Sequence, residues 1–310
     1  MQTYYKAIAL ITLFIAFTSQ AVERLTDKDT RQRLSSVSPQ LLRAVGRLTV
    51  TQPNKVHACS ATLIDIGLEG SQYVLTSQHC LRPNAEIIWQ TTDNNRVISR
   101  TATIELTNSQ YDWALLKLSA PVSPSVIQGV YLLSETTIPI INWDSPYEYD
   151  SPFHTDAAEF FGPEEWELFD NLDAYYWDLY VAGHSADLEL GDNGQTLTYV
   201  HYDENVIRPI HNTSDGFALV KAMTFEGASG GAVLMEWRPD SNNDDYGDIA
   251  RPVILIGVIK GALTDTHVSK NGAKGSSPTQ FSHPFTFTVQ VIEHLRKKHS
   301  TLENLTFTLE

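Results

Sequence analysis

From Ala44 onward the chain is built of short runs rich in β-branched and aromatic residues. They cover Leu48–Thr51, Ser60–Ile66, Tyr73–Thr76, Glu86–Gln90, Val97–Glu105 and Trp113–Leu118, separated by Gly, Pro, Asn and Asp. Short strands broken by turn residues at this spacing predict a small antiparallel β-barrel over about 44–125. A second series runs Trp177–Ala182, Gln195–Tyr202, Gly216–Met223, Gly231–Glu236, Val253–Ile259 and Phe285–Val289, and predicts a second barrel over about 177–290. In Val289–Lys298 the spacing changes: Val291, Ile292 and Leu295 share one face of a short helix, which opens a C-terminal helix and tail over 289–310. The pattern predicts an all-β protein with one terminal helix.

The N-terminus breaks this pattern. Lys6 precedes the apolar run Ala7 to Phe17, and Ser19-Gln20-Ala21 then supplies small residues. This reads as an export signal over 1–21. The run is shorter than the ~20 apolar residues that cross a bilayer, so a stable membrane anchor is not expected, although an uncleaved anchor is the alternative. Export implies a secreted or periplasmic protein in an oxidising compartment. Residues 22–43 are polar and of mixed charge, an N-terminal arm or a propeptide.

Composition narrows the function. With 310 residues, of which 42% are hydrophobic and 19% charged, the chain can bury two small β domains and insertions. Its formal net charge of -15 argues against nucleic acid as a partner, because phosphate affinity comes from clustered Lys and Arg.

Three strings carry chemistry: Leu75-Thr76-Ser77-Gln78-His79-Cys80, Tyr111-Asp112-Trp113-Ala114-Leu115-Leu116 and Gly227-Ala228-Ser229-Gly230-Gly231. A serine hydroxyl is scarcely ionised near neutrality. It attacks a carbonyl only when an imidazole takes its proton, and the imidazole needs an acid to fix its tautomer. His79, Asp112 and Ser229 fit those three roles. A carboxylate leading directly into Trp-Ala-Leu-Leu enters a buried strand, where it is costly unless paired.

These strings, in this order, resemble the L-T-A-A-H-C, D-I-A-L-L-like and G-D-S-G-G motifs of the chymotrypsin/trypsin-like serine endopeptidases. Cys59-Ser60-Ala61-Thr62-Leu63-Ile64 is similar to that family's C-G-G-S-L-I strand ahead of the base. The resemblance implies two antiparallel six-stranded β-barrels, with a terminal helix packed on the second. It implies hydrolysis of protein or peptide substrates through an acyl-enzyme, without a cofactor or metal. The catalytic residues would be His79, Asp112 and Ser229, and the backbone N–H groups of Gly227 and Ser229 would receive the oxyanion. It also implies a bridge between Cys59 and Cys80, the chain's two cysteines, which closes a loop of about 20 residues and stabilises by roughly 3 kcal/mol. Two buried free thiols are the other reading.

Departures from the pattern matter as much. Ala228 stands where many family members carry the Asp that pairs with a newly freed N-terminus. Activity independent of such a cut is expected, as in the bacterial glutamyl-endopeptidase-like branch. Arg43-Ala44-Val45-Gly46 lies too close to Cys59 to be an activation site. Ungapped alignment puts Met223 at the base of the primary substrate pocket with Thr224 and Glu226 nearby, which removes the acidic floor that selects Arg or Lys. Lys260 in the opposite wall would favour an acidic side chain.

Between the barrels, about 140–178, an insertion carries Glu148, Asp150, Asp156, Glu159, Glu164, Glu165, Glu167, Asp170 and Asp173 among eleven aromatic residues, without Lys or Arg. It reads as a solvated flap, or as a surface that steers basic substrates or binds calcium. The Asp240–Asp248 loop is a hairpin tip first, because Asp245 stands where a calcium loop requires Gly.

Two other functions compete. Gly227–Gly231 also fits the nucleophile elbow of α/β-hydrolase esterases, with Asp265 and His283 following it, but that fold needs a helix after the serine and Ala232–Trp237 reads as a strand. A catalytically silent scaffold has no need of all three groups.

Overall fold

A computed structural model describes residues 29–66, 70–93, 96–133, 175–202, 210–212, 216–239, 253–262, 267–299 and 306–307. The expected export signal, nearly all of the acidic insertion and the 240–248 loop lie outside the described residues. Arg31–Glu310 forms one compact unit, and it carries everything described below.

Six strands make the first barrel: β2 (Val45–Gln52), β3 (Lys55–Ile64), β4 (Ser71–Thr76), β5 (Glu86–Asp93), β6 (Arg96–Asn108) and β7 (Trp113–Val122), after a short β1 (Gln32–Arg33). All neighbours are antiparallel, in the closed order β2-β3-β4-β7-β6-β5. Pairing of β2 with β5, with Leu48 opposite Trp89, closes the barrel and leaves no free edge. Leu48, Leu63, Val74, Trp89 and Leu116 share one face by strand register and are fully buried. The Trp89 indole N–H donates to the Ala61 carbonyl at 3.0 Å, so the largest core side chain leaves no buried donor unpaired.

The next strands are β8 (Tyr131–Leu133), β9 (Tyr175–His184), β10 (Leu197–Tyr202), β11 (Ile210–Asn212), β12 (Phe217–Val220), β13 (Thr224–Phe225), β14 (Ala232–Pro239), β15 (Val253–Ala262), β16 (His267–Val268), β17 (Lys274–Ser276) and β18 (Thr279–Ser282). Six of them pair in the order β10-β9-β14-β15-β18-β12. This repeats the first barrel's β3-β2-β5-β6-β7-β4 strand for strand. One apolar cluster takes Val181, Val200, Val220, Val233, Ile256 and Phe281, a residue from each of the six strands, so the sheet curls around a shared interior. The architecture is the trypsin-like pair of β-barrels. β1 lengthens the second sheet by pairing with β10. The small sheet β13-β17-β16 flanks it.

One expectation about the C-terminus needs correction. The sixth strand of the second barrel is β18, and Phe285–Val289 is not a strand; it belongs to α1 (Pro284–Lys298). Pro284 is well suited to a first helical position because it has no N–H to leave unpaired, and its ring fixes φ for the helix. The β-branched and aromatic residues that follow mask this start. Phe287, Val291, Ile292 and Leu295 are fully buried, and they join the apolar cluster that draws on both barrels. The helix is fastened there by Trp113 Nε1 donating to the Thr286 carbonyl at 2.8 Å, by the Lys298–Glu105 ion pair and by Tyr73 Oη with His299 Nε2 at 2.9 Å. It also lies against β15 of the second barrel, so the helix bridges the two barrels. A short strand, β19 (Thr306–Phe307), follows and pairs with β8.

Cys59 and Cys80 are bonded to each other across 21 positions of sequence. The bridge ties β3 to the turn that follows β4. Replacing both cysteines by alanine is expected to lower unfolding free energy by about 3 kcal/mol, measured by urea denaturation without reductant. An unchanged midpoint would show that the bridge constrains nothing.

Candidate functional site

Strand register brings the first two candidate residues together. Thr76 at the end of β4 pairs with Ala114 near the start of β7, so the segment leaving β4 and the segment entering β7 emerge at the same end of the barrel. His79 lies in a 3-10 turn, Gln78–Cys80, and Asp112 immediately precedes β7. Asp112 Oδ2 accepts from His79 Nδ1 at 2.7 Å and Oδ1 accepts from the His79 backbone N–H at 2.9 Å. With Nδ1–H donated to the carboxylate, Nε2 carries the lone pair. The side chain of Asp112 is 9% exposed and that of His79 is 46% exposed: a buried carboxylate holds a ring that solvent reaches. Asp112 has φ +55°, a left-handed conformation that aspartate tolerates better than most residues.

Ser229 sits in the turn before β14. The turn is bound to β3 by the Ser60 N–H, which donates to the Ser229 carbonyl at 2.8 Å. Ser60 Oγ donates to the Gly227 carbonyl at 2.9 Å and accepts from the His184 N–H at 2.8 Å. Gly227 has φ +90°, and a Cβ there would lie 2.6 Å from the His184 carbonyl, so both conformation and space demand glycine. At Gly230 a Cβ would meet the Ser60 carbonyl at 2.1 Å. Ala228 N–H donates to Phe225 O, Gly230 N–H to Ile259 O and Gly231 N–H to Ala228 O. Among the described residues, the Gly227 and Ser229 N–H groups have no such acceptor. Ser229 Oγ donates to the Lys260 carbonyl at 3.1 Å, and no hydrogen bond joins it to His79. The Cys80 sulfur lies between the two groups, 4.0 Å from His79 Nε2 and 3.8 Å from the Ser229 carbonyl; being disulfide-bonded, it is a spacer and donates nothing.

The four residues expected in a substrate pocket are spread out. Met223 is buried with Phe225 and Ala273, and buried Thr224 shares a hydrogen bond with Thr279, Oγ1 to Oγ1, at 2.8 Å. Glu226 is exposed, and its carboxylate accepts from the Lys274 N–H at 3.3 Å. Lys260 rests its ammonium 4.0 Å over the Phe217 ring. Phe217 pairs with Ser282 while Val220 pairs with Thr279, so the ring beneath Lys260 and the Thr279 partner belong to positions three residues apart on β12. Met223 and Thr224 share one neighbourhood, and Lys260 faces another.

Local strings gave no sign of two contributions. Ser60 was visible only as a strand residue, although all its polar groups hold the Ser229 turn or the adjoining strands. Arg31, in the polar N-terminal stretch, is buried against Asp187, with Nη1 to Oδ1 at 2.7 Å and side chains 2% and 0% exposed. Burial by itself would raise the Asp187 carboxyl. The Arg31 hydrogen bond, the Leu190 N–H, the Arg31 charge and the Gly191 N–H outweigh it and hold the group below the usual carboxylate range. Among the described residues no group of three or more His, Cys, Asp or Glu is placed to hold a metal ion.

Neither a protein-family profile nor a curated protein sequence matches the chain. Solved structures that resemble it are serine proteases. They include the HtrA-type protease AlgW with a tripeptide (18% identity, 84% of this chain and 62% of that one, TM-score 0.45). They also include the protease Anisep from Arthrobacter nicotinovorans (13% identity, 79% and 92%, TM-score 0.45) and a thermostable serine protease from an extremophilic microorganism (12% identity, 85% and 100%, TM-score 0.47). The chain spans less than two thirds of the HtrA-type protease. At these identities and scores, the fold assignment rests on strand order and register.

Burial pushes His184, beside the Ser229 turn, down to about 4, and His283, before α1, also to about 4. Both groups take up protons more readily unfolded than folded. The stability of their neutral burial is complete above the unfolded value near 6.5 and is lost as pH falls toward 4. Unfolding free energy should therefore fall on acidification through this window, at up to about 2.7 kcal/mol per pH unit when both contribute. A flat profile in urea titrations between pH 6.5 and 4 would contradict the burial of both rings.

Proposed function

We propose that this chain is an exported serine endopeptidase that cleaves protein or peptide substrates through an acyl-enzyme. The observation that carries the reading is the arrangement of a buried Asp112 on His79 Nδ1 beside a Ser229 turn with two N–H groups free of backbone acceptors. Rotation about the Ser229 Cα–Cβ bond moves Oγ from the Lys260 carbonyl toward His79 Nε2. Oγ then attacks the scissile carbonyl carbon as Nε2 takes its proton. Asp112 holds the tautomer and stabilises the imidazolium. The Gly227 and Ser229 N–H groups receive the oxyanion. His79 gives the proton to the leaving amine, and water, deprotonated by His79, releases the acyl group.

Ala228 is buried and uncharged, which supports activity without a freed N-terminal ammonium. The disulfide favours an oxidising compartment, secreted or periplasmic. Among the described residues no helix is long and apolar enough to cross a membrane. The esterase alternative loses its basis, because a strand, β14, follows Ser229 within an antiparallel sheet.

Fluorophosphonate labelling tests the reading. Wild type should react at Ser229, and Ser229→Ala should abolish labelling. His79→Ala and Asp112→Asn should each slow peptide turnover by at least about 1000-fold. Intact wild type that neither labels nor cleaves a peptide library would overturn it, and turnover of esters alone would restore the esterase class.

A further inference from the structure

Within the N-terminal arm, Arg31 is buried against the loop that leads to the Ser229 turn. Arg31 Nη1 and Nη2 reach Asp187 Oδ1 and Oδ2 at 2.7 and 3.2 Å, a fork-on-fork pair with both side chains removed from water. The same guanidinium lies 4.4 Å over the Phe225 ring. Asp187 organises the 185–196 loop: its Oδ2 accepts from the Leu190 and Gly191 N–H groups, and its carbonyl from the Asn193 N–H.

That loop leans on the turn that carries Gly227. Ala186 N–H donates to the Glu226 carbonyl at 2.6 Å, one residue before Gly227. Phe225, beneath the guanidinium, accepts from the Ala228 N–H, one residue before Ser229. Arg31 therefore touches both strands of chain that fix the peptide planes around Gly227. Adjacent Arg33 Nη2 donates to the Glu189 carbonyl at 2.6 Å, and β1 pairs with β10, so the arm is held in place by more than the ion pair.

We infer that Arg31 is a positioning residue for the oxyanion-binding turn, and that the arm from residue 31 onward is a retained part of the working enzyme. The inference rests on the serine-peptidase reading above. Without the guanidinium, Asp187 is a buried charge with no counter-ion. The loop must open to hydrate it, Ala186 leaves Glu226, and the peptide planes at Gly227 lose one of their walls.

The test compares wild type with Arg31→Met, Arg31→Lys and the double variant Arg31→Met with Asp187→Leu. The double variant removes both charges and so folds without a stranded carboxylate. Arg100→Met, on exposed β6, serves as a control. All are checked for folding by thermal melts. In folded Arg31→Met and in the double variant, kcat should fall by about 100-fold with little change in KM, and Arg31→Lys should recover part of it. Hydrogen exchange of peptides covering 184–196 and 223–230 should quicken in both. A folded double variant with wild-type kcat and wild-type exchange would overturn the inference. Inert wild type would sink the peptidase reading instead, leaving exchange alone to decide whether Arg31 orders the turn. A chain beginning at Thr30 should stay active, whereas one beginning at Leu34 should lose activity as Arg31→Met does; full activity from Leu34 would count against a retained arm.

Discussion

The site depends on how one serine of the first barrel is used up. Ser60 gives its N–H to the Ser229 carbonyl and its hydroxyl proton to the Gly227 carbonyl, while its hydroxyl oxygen accepts from the His184 N–H of the second barrel. Its own carbonyl accepts from Thr76 Oγ1 at 2.7 Å, at the end of the strand that leads to His79. A buried polar group left unpaired costs about 1–3 kcal/mol, so a displacement of the Ser229 turn would expose several such costs together. The two barrels cannot slide past each other here without breaking bonds on both sides. The neighbouring Cys59 adds a covalent tie to Cys80, next to His79.

Barrel geometry does the rest of the positioning. A closed antiparallel barrel fixes which residues share an end, and a one-residue slip would invert every side chain. The pairing of Thr76 with Ala114 thus fixes where His79 and Asp112 leave the sheet, and the bidentate contact completes their orientation. Trp113, the residue after Asp112, is anchored at its far end to the carbonyl of Thr286 in α1. The helix that caps the first barrel so steadies the strand that carries the carboxylate.

Much of this was legible in local strings, for a physical reason. Short strands rich in β-branched and aromatic residues announce themselves by composition, and all six of the first barrel did. His79, Asp112 and Ser229 stand in short motifs because a turn of fixed shape needs particular neighbours, such as glycine at 227 and 230. The helix start at Pro284 was hidden because Phe285 to Val289 has strand composition, and tertiary packing of Phe287 overrode it. Arg31 and Asp187 were illegible for a different reason. Their meaning lies in a contact across 156 positions, and neither stands in a recognisable pattern. The spread of Met223, Thr224, Glu226 and Lys260 likewise depends on register between β12, β15 and β18. Ungapped counting along one segment cannot supply it, least of all where β15 carries a bulge between Ile259 and Gly261.

The buried ion pair bears on why position 228 tolerates alanine. Burying two charges costs several kcal/mol per ion before their attraction is counted, and apolar residues of similar size often stabilise as well. Stability alone is therefore a weak reason to keep Arg31 against Asp187. Ala228 sits with its backbone against Gly183, a packing in which a Cβ at 183 would lie 2.9 Å from the Ala228 Cα; a carboxylate at 228 would have to be buried in this crowded place. In this chain the charge lies one loop away, on Asp187, and its partner is a guanidinium that the arm already provides. On the role proposed for Arg31, the same physical need, to brace an exposed-donor turn from behind, is met without a terminus having to be freed. This arrangement also accounts for β1: two residues are too short to stabilise a sheet, but long enough to anchor the chain just after Arg31 to β10.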